Sequence, residues 1–157
     1  MPFVRVFSLV VGIAVCFAGC SPAQRAFEQV RICVGDERGV AELKNVMQAV
    51  AQSENLQFID NSAQQAQDLK EIATDRALKR DMFHAIDLHI EGESGLGVTA
   101  GNLGLPPYQV GLGFTEGRDA AKARQLANHL ISSLSQHWSV QRVPSSQGIS
   151  PMKGCGA

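Results

Sequence analysis

Apolar and polar residues alternate in several short stretches of the chain, and a period of two is typical of strands buried on one face. The clearest stretch is the one in which Ile86, Leu88 and Ile90 alternate with polar residues. The stretches read as strands cover residues 27–34, 56–59, 86–90, 108–114 and 138–144. They predict a sheet with one apolar face and one polar face.

Three longer segments place apolar residues three and four positions apart, which is the spacing of one face of an α-helix. The first segment follows Asp36, and the second begins at Asn61-Ser62, where Ser62 and Gln65 match a capping box. The third begins within residues 115–119 and has the widest apolar stripe. We therefore predict three helices between the strands.

The predicted order is strand, helix, strand, helix, strand, strand, helix, strand. Helices lying on one face of a twisted sheet would bury the alternating apolar residues. We therefore predict an α+β fold, a two-layer sandwich with helices on one face of a mixed sheet. The specific expectation is a ferredoxin-like arrangement with one inserted helix.

A single domain is expected to cover residues 27–144. Within it, the glycine-rich segment 92–107 ends in Pro106-Pro107 and is interpreted as a flexible hairpin connection, because proline disfavours regular strand pairing. Residues 145–157 lack periodicity and are predicted to be a tail that is ordered only if Cys155 is bonded to the domain.

The residues before this domain have a different character. Residues 1–5 carry one positive charge, at Arg5, and residues 6–17 form an apolar run. Such a run fits the apolar region of a signal peptide and is shorter than the roughly 20 apolar residues of a transmembrane helix. Small residues then lead into a cysteine, in the order Ala18-Gly19-Cys20.

The sequence Phe17-Ala18-Gly19-Cys20 resembles the lipobox of bacterial lipoprotein precursors, in which Leu is preferred where Phe17 stands. The resemblance implies that residues 1–19 are a signal peptide, that Cys20 is acylated, and that residues 20–26 are a lipidated linker. In this family Asp directly after the cysteine favours the inner membrane. Ser21 lacks that signal, so the resemblance implies an anchor in the outer membrane that faces the periplasm. The alternatives are the inner membrane, a secretory signal cleaved after Ala18, and an uncleaved anchor.

The chain has four cysteines. Cys16 lies in the predicted signal peptide and Cys20 is the predicted lipid attachment site. Cys33 and Cys155 remain, and an even pair of cysteines in an oxidising compartment indicates a disulfide. We predict that this disulfide ties the tail to the start of the domain; the alternative is two unrelated thiols.

Length and charge narrow the range of partners. Removal of 19 of the 157 residues leaves 138, which is the length of one domain. Loss of Arg5 changes the formal net charge from −1 to −2. Binding of nucleic acid requires a clustered basic face, so nucleic acid is excluded as a partner.

The densest set of polar side chains lies between residues 84 and 93, with His84 near its start. Asp87, His89 and Glu91 would project from one face of a strand at spacings of about 6.6–6.8 Å. Imidazole and carboxylate groups suit zinc, so one interpretation is a metal-dependent hydrolase that uses residues 84–93. A second interpretation is an ordinary solvated strand face.

A third interpretation is that Asp87, His89, Glu91 and Glu93 form a partner-binding face. Neighbouring carboxylates repel one another, and a basic protein surface would relieve that repulsion. The sequence contains neither a nucleophile elbow nor a nucleotide-binding loop. We therefore expect no catalytic residue, no resident metal and no cofactor.

These observations favour a non-enzymatic lipoprotein that works by binding another protein. Its general layout resembles that of periplasmic immunity and inhibitor lipoproteins, which neutralise a secreted antibacterial effector. The resemblance implies such an effector as the partner. The alternative function is assembly or maintenance of the cell envelope through another membrane protein.

Overall fold

The computed structural model of the protein describes residues 25–72, 84–144 and 146–155. The predicted signal peptide, Cys20 and the first residues of the predicted linker lie outside these ranges. Within them, six strands form one sheet. The strands are β1 (Glu28–Cys33), β2 (Gln57–Asp60), β3 (Asp87–Glu91), β4 (Leu96–Gly101), β5 (Gln109–Glu116) and β6 (Gln141–Val143).

The same ranges contain three α-helices, which are α1 (Glu37–Ser53), α2 (Ser62–Ile72) and α3 (Ala120–Ser135). Asp36 and Asp119 cap α1 and α3, because each side chain accepts a hydrogen bond of 2.9 Å from a backbone N–H in the first turn. Gly39 lets α1 approach β1 closely, since a Cβ there would overlap the carbonyl oxygen of Val34. None of the helices that the structure describes is long and apolar enough to cross a membrane.

The sheet order is β2-β3-β4-β5-β1-β6, and every pair of neighbours is antiparallel. The predicted α+β sandwich is confirmed, but its sheet is antiparallel rather than mixed. In β1-α1-β2 and in β5-α3-β6, a helix joins two strands that run in the same direction with other strands between them. Because other strands lie between the two joined strands, these parallel strands are not neighbours in the sheet. The two units match the expected split β-α-β arrangement, enlarged by α2, β3 and β4.

Apolar side chains from one face of the sheet pack against α1 and α3 to form the core. β1 contributes Val30 and Ile32, and β3 contributes Leu88 and Ile90, all without exposed surface. Leu112 of β5 is equally buried. The further core residues include Leu43, Met47, Val50, Val98, Val110, Phe114, Leu126, Leu130 and Leu134, with Trp138 packed against them. The period-two and helical patterns of the sequence therefore identify the core outside residues 92–107, where Leu96, Val98 and Ala100 were not expected.

Strand β4 corrects the interpretation of residues 92–107 as a flexible connection. Leu96–Gly101 pairs with β3 on one side and with β5 on the other. β5 is therefore not the direct neighbour of β3, which the two-strand interpretation required. A tight 3₁₀ turn, Glu93–Gly95, connects β3 to β4. The loop between β4 and β5 contains Pro106 and Pro107.

Helix α2 differs from α1 and α3 in its position. Leu69 is buried but is not part of the core between the sheet and the other two helices. The capping box predicted at Ser62 and Gln65 is replaced by another arrangement. Asp60 accepts a hydrogen bond from the Ser62 backbone N–H at 3.0 Å, while the Ser62 hydroxyl accepts one from the Asp87 backbone N–H at 3.1 Å. These bonds attach the start of α2 to the edge of the sheet.

Two histidine–carboxylate pairs join α1 to the α3 region. His129 Nδ1 lies 2.7 Å from Glu54 Oε1, and Gln125 donates to the other oxygen of Glu54 at 3.1 Å. His137 Nδ1 lies 2.7 Å from Glu42 Oε1. The polar sides of the two helices are therefore linked near both ends of their contact.

Residues 146–155 form a segment that we call the C-terminal strap. The strap crosses the sheet face opposite α1 and α3, which we call the outer face. A disulfide joins Cys33, at the end of β1, to Cys155, and their Cα atoms are 5.7 Å apart. The predicted disulfide is confirmed, and the tail is packed on the domain as expected for that case.

We expect the Cys33→Ser, Cys155→Ser double variant to lose up to about 4–5 kcal/mol of unfolding free energy, because the disulfide closes a loop of more than 100 residues. Urea unfolding of the oxidised wild type and of the variant measures this difference. Thiol labelling of the denatured, unreduced wild type should find neither cysteine free. Full labelling of both cysteines would contradict the prediction.

Asp60 links α1, β2 and α2. Its Oδ2 lies 2.7 Å from Lys44 Nζ, and its Oδ1 accepts the Ser62 N–H. Partial burial alone would raise the pKa of Asp60, but the hydrogen bonds from Lys44 and Ser62 outweigh it and lower the pKa. The carboxylate is therefore stabilised in its charged form in the folded protein.

Because the folded-state pKa of Asp60 is lowered, its stabilising effect is present above the unfolded-state pKa and is lost as pH falls through the folded-state value. Lys44→Met should therefore reduce stability at neutral pH by about 0–1 kcal/mol, the usual range for a partly exposed pair. The difference should vanish in acid. Urea unfolding at neutral and at acid pH measures this difference in stability, and Lys70→Met is the control. An equal loss in acid would assign the effect to packing of the lysine stem.

Candidate functional site

The outer face of the central strands carries very little side-chain bulk. Directly paired residues of antiparallel strands point to the same face. Gly101 is paired with Gly111, and Thr99 is paired with Gly113. Gly97 continues this surface at the other end of β4. β4 and β5 therefore present a floor of backbone to the outer face, while their other face carries the apolar core.

The C-terminal strap covers part of this floor, and Gln109 anchors it. The Gln109 side chain has no exposed surface, donates to the Ser150 carbonyl at 2.8 Å and accepts from the Met152 N–H at 2.6 Å. Arg31, on β1, donates to the carbonyl and hydroxyl oxygens of Ser150 at 2.9 and 2.8 Å. The strap is therefore held by side chains of two strands in addition to the disulfide.

Ile149 of the strap lies directly on Gly111. A Cβ at that position would overlap Ile149 Cδ1, so the close approach of the strap depends on glycine there. This contact seats the strap over β5 and leaves β4 and β3 uncovered by it. Ile149 at the edge of the strap therefore borders a part of the outer face that is open to solvent.

The open part is a groove of about 450 Å³, which we call the outer groove. Its floor is formed by Gly101 and Gly111. One wall has Gln29 of β1 and Ile149 of the strap, and the opposite side is formed by Gln65, Asp87, Thr99, Leu103 and Leu105. α2 therefore contributes to the outer face, although the helices were predicted to lie on one face of the sheet.

Three of the four predicted partner-binding residues share the outer face of β3, as the alternation predicts. Asp87, His89 and Glu91 are paired with Gly101, Thr99 and Gly97. The Asp87 and His89 side chains are only about a quarter exposed, and His89 Nε2 lies 2.9 Å from Asp87 Oδ1. Glu91 is exposed. The strand face is therefore partly buried at one end and open to solvent at the other.

Glu91 and Glu93 line a second groove, of about 630 Å³, at the end of the sheet. We call it the end groove; its other lining residues include Leu56, Gln57, Arg118 and Lys122. Neither glutamate takes part in the ion pairs formed within the described ranges. The two carboxylates therefore face solvent in a groove that also holds basic side chains.

His84 lies apart from these groups. Its ring makes an edge contact with Tyr108, with a centroid distance of 5.3 Å, and its carbonyl accepts a hydrogen bond of 2.6 Å from Asn102. The residues proposed as metal ligands are thus divided between separate places. No group of three or more potential metal-ligating side chains occurs in the part of the chain that the structure describes.

Sequence reasoning missed Gln29, Gln65 and Gln109 as site residues. Gln109 and Gln29 occupy positions that the alternation assigns to the solvent side of their strands. Their one distinguishing signal is their position next to outward-facing glycines, which mark a surface that another segment can approach closely. Gln65 was assigned to a capping role that Asp60 fulfils.

No model of a protein family matches the chain, and no curated protein sequence matches it. A functional assignment therefore depends on the chain's own residues, on the disulfide and on the two grooves.

Proposed function

We propose that the protein is a lipoprotein that is anchored through acylated Cys20, faces the periplasm, and acts by binding another protein. The observation that carries the proposal is the Cys33–Cys155 disulfide. Disulfides form and persist in oxidising compartments such as the periplasm. This chemistry agrees with the apolar run and the Ala18-Gly19-Cys20 sequence at the start of the chain.

The proposed anchor would hold the domain close to the bilayer. Five residue steps separate Cys20 from Arg25, and an extended chain spans at most about 3.3–3.6 Å per residue. Arg25, where the described part of the domain begins, would therefore lie within roughly 18 Å of the lipid attachment point. A domain held this close is suited to act on partners that reach the membrane.

Binding of a protein is supported by the surface that the grooves provide. A sheet braced by a disulfide and a strap changes shape little, which reduces the entropy lost on association. Glu91 and Glu93 at the end groove offer exposed negative charge that complements a basic partner and speeds encounter. The proposed partner class is a secreted antibacterial effector, with this protein as a non-enzymatic immunity or inhibitor protein in the outer membrane.

Cys20→Ala should abolish acylation and release the domain from the membrane, because several acyl chains provide a stable anchor at about 0.8 kcal/mol per buried methylene. Membrane fractionation after an alkaline carbonate wash measures the release, with Ser21→Ala as the control. Mass spectrometry of the wild type should find lipid on Cys20. Unmodified Cys20, or a Cys20→Ala variant that stays with the membrane, would contradict the anchor.

Exchange of Glu91 and Glu93 for Gln should slow association with the partner by about tenfold, because rim charges act mainly on the association rate. The partner is first captured from the envelope with the tethered wild type and identified by mass spectrometry. The control is Glu37→Gln with Glu71→Gln, which removes the same charge from exposed sites on helices. The urea midpoint of unfolding of both double variants should equal that of the wild type.

Equal association rates for the two double variants across physiological salt would exclude the end groove as the binding surface. Failure of the tethered wild type to capture any specific partner would contradict the binding role itself.

A further inference from the structure

A third groove lies beside the point at which the chain enters the domain. It has a volume of about 600 Å³, and we call it the linker groove. Phe27, Glu28 and Gln29 line it together with residues from the end of β6 and from α3. Phe27 directly precedes β1, and its N–H donates to the Phe114 carbonyl at 2.9 Å. The groove therefore has a fixed position next to the linker that precedes the domain.

The proposed anchor at Cys20 keeps this groove close to the bilayer. Seven residue steps separate Cys20 from Phe27, so even a fully extended linker holds Phe27 within roughly 25 Å of the lipid attachment point. A folded domain of this length has a radius of gyration of about 14 Å and is therefore about 36 Å across. The end of the sheet at which β1 begins is thus the end that stays next to the membrane.

Two arginines line the linker groove, and they differ in their partners. Arg142 Nη1 is paired with Glu28 Oε1, so the charge of Arg142 is compensated within the groove. Arg124 takes part in none of the ion pairs that the described residues form with one another. The Arg124 guanidinium therefore gives the described lining one uncompensated positive charge.

Hydrogen-bond donors accompany this charge. Arg124 and Asn128 lie four positions apart on α3, so their side chains share one face of the helix, and both are exposed. The guanidinium carries five N–H donors in a planar fork, and the Asn128 amide carries two more. The fork matches two oxygens of a phosphate group. The groove therefore offers several donors to an anion that has more than one acceptor oxygen.

The same groove has apolar lining beside the donors. Phe27 is half-buried, with its ring centroid 6.4 Å from that of Phe114, and Val143 and Pro144 follow along the end of β6. A fitting ligand therefore combines a phosphate with an apolar portion. A phospholipid has both parts, and a short tether raises its effective concentration at the groove to about the millimolar range. Even a weak site would be occupied under these conditions.

We propose that the linker groove binds the phosphate group of a phospholipid in the membrane that anchors Cys20, with Arg124 and Asn128 as donors and Arg142 beside them. The inference rests on the proposed anchor and goes beyond the protein-binding function, because it assigns a lipid ligand. It also orients the domain. The end groove opens at the same end of the sheet, so a protein partner would meet Glu91 and Glu93 near the membrane surface.

The first test needs no acyl chain on the protein. The probe is dihexanoyl phosphatidylglycerol, dissolved as monomers, and the control ligand is inorganic phosphate. The protein is the isotope-labelled mature chain, residues 20–157, with Cys20→Ala. NMR titration with the lipid should give saturable shifts of the Phe27, Asn128 and Val143 amides. Inorganic phosphate should bind at least about tenfold more weakly, because it lacks the apolar portion that packs on Phe27 and Val143.

The decisive variant is Arg124→Gln, which keeps a long helix-forming side chain and removes the charged fork. It should weaken lipid binding by at least about tenfold, as expected for loss of charge-assisted hydrogen bonds to phosphate. Arg38→Gln is the control, because Arg38 is exposed near the start of α1 at the opposite end of the sheet. It removes the same charge and should bind like the wild type. Equal urea midpoints of unfolding for all three proteins verify that folding is unchanged.

The second test uses the lipidated wild type in bilayer discs of phosphatidylethanolamine and phosphatidylglycerol. A spin label on the headgroup of a small fraction of the lipid should broaden the amide signals of Asn128 and Val143 more than those of Arg38 and Asn102. Asn102 follows β4 at the opposite end of the sheet. Arg124→Gln should reduce the broadening at Asn128, because only the tether then holds the domain at the bilayer.

Absence of saturable shifts, unchanged binding by Arg124→Gln, an equal loss in Arg38→Gln, or equal binding of inorganic phosphate would overturn the inference. Stronger broadening at Arg38 than at Asn128 would also do so. Unmodified Cys20 in the wild type would contradict the anchor and with it the membrane as the source of the ligand. Failure of the titration with lipid present on wild-type Cys20 would overturn the lipid site alone, so the two failures are distinguishable.

Discussion

Strand β5 lies inside the sheet and is covered on both of its faces. Val110, Leu112 and Phe114 pack against the helices, while Gln109 and Gly111 lie beneath the C-terminal strap. The cover over Gln109 and Gly111 comes from the strap, a segment of ten residues. That segment has no regular structure of its own, so its position depends on Gln109, Arg31 and the disulfide. The cover on the outer face of β5 therefore depends on polar contacts and the disulfide, whereas the layer on its other face depends on the apolar core.

The position of the strap also determines which part of the outer face is open to solvent. It covers β5 and ends at β1, and Ile149 forms part of the wall of the outer groove. Loss of the strap would remove that wall and expose the glycine floor as a flat surface. Structural bracing and the outer groove are thus parts of one arrangement, in which the disulfide contributes to both.

Most of the fold follows from periodicity in the sequence. Alternation identified the strands around Val30, Leu88 and Leu112, and the apolar stripes identified the three helices, the first of them after Asp36. β4 was missed because its outward positions, Gly97 and Gly101, lack the polar side chains that mark an alternating strand, and glycine is depleted in strands generally. The sheet was expected to be mixed, whereas every pair of neighbouring strands is antiparallel.

The candidate site was less accessible to prediction. Asp87, His89 and Glu91 were correctly assigned to one strand face, but local pattern cannot show that Glu93 lines a separate groove. The role of Gln109 depends on Ser150, which lies 41 positions away in the chain. The same holds for Gln29 and Gln65, which line one groove only when β1 and α2 are placed around the glycine floor. Contacts between distant segments leave no periodic signal in a single sequence.

The sheet topology has a consequence for the order in which the chain can fold. β1 is the first strand of the domain, yet its two neighbours are β5 and β6, the last two: Val30 is paired with Leu112 and with Arg142. A chain that emerges from its amino terminus leaves β1 without partners until nearly the whole domain is available. Non-local pairing of this kind slows folding, because loop-closure entropy is lost before the contacts form. The sheet can therefore close around β1 only after β5 and β6 have joined it, so the order of strands in the sheet makes the first strand one of the last to be paired.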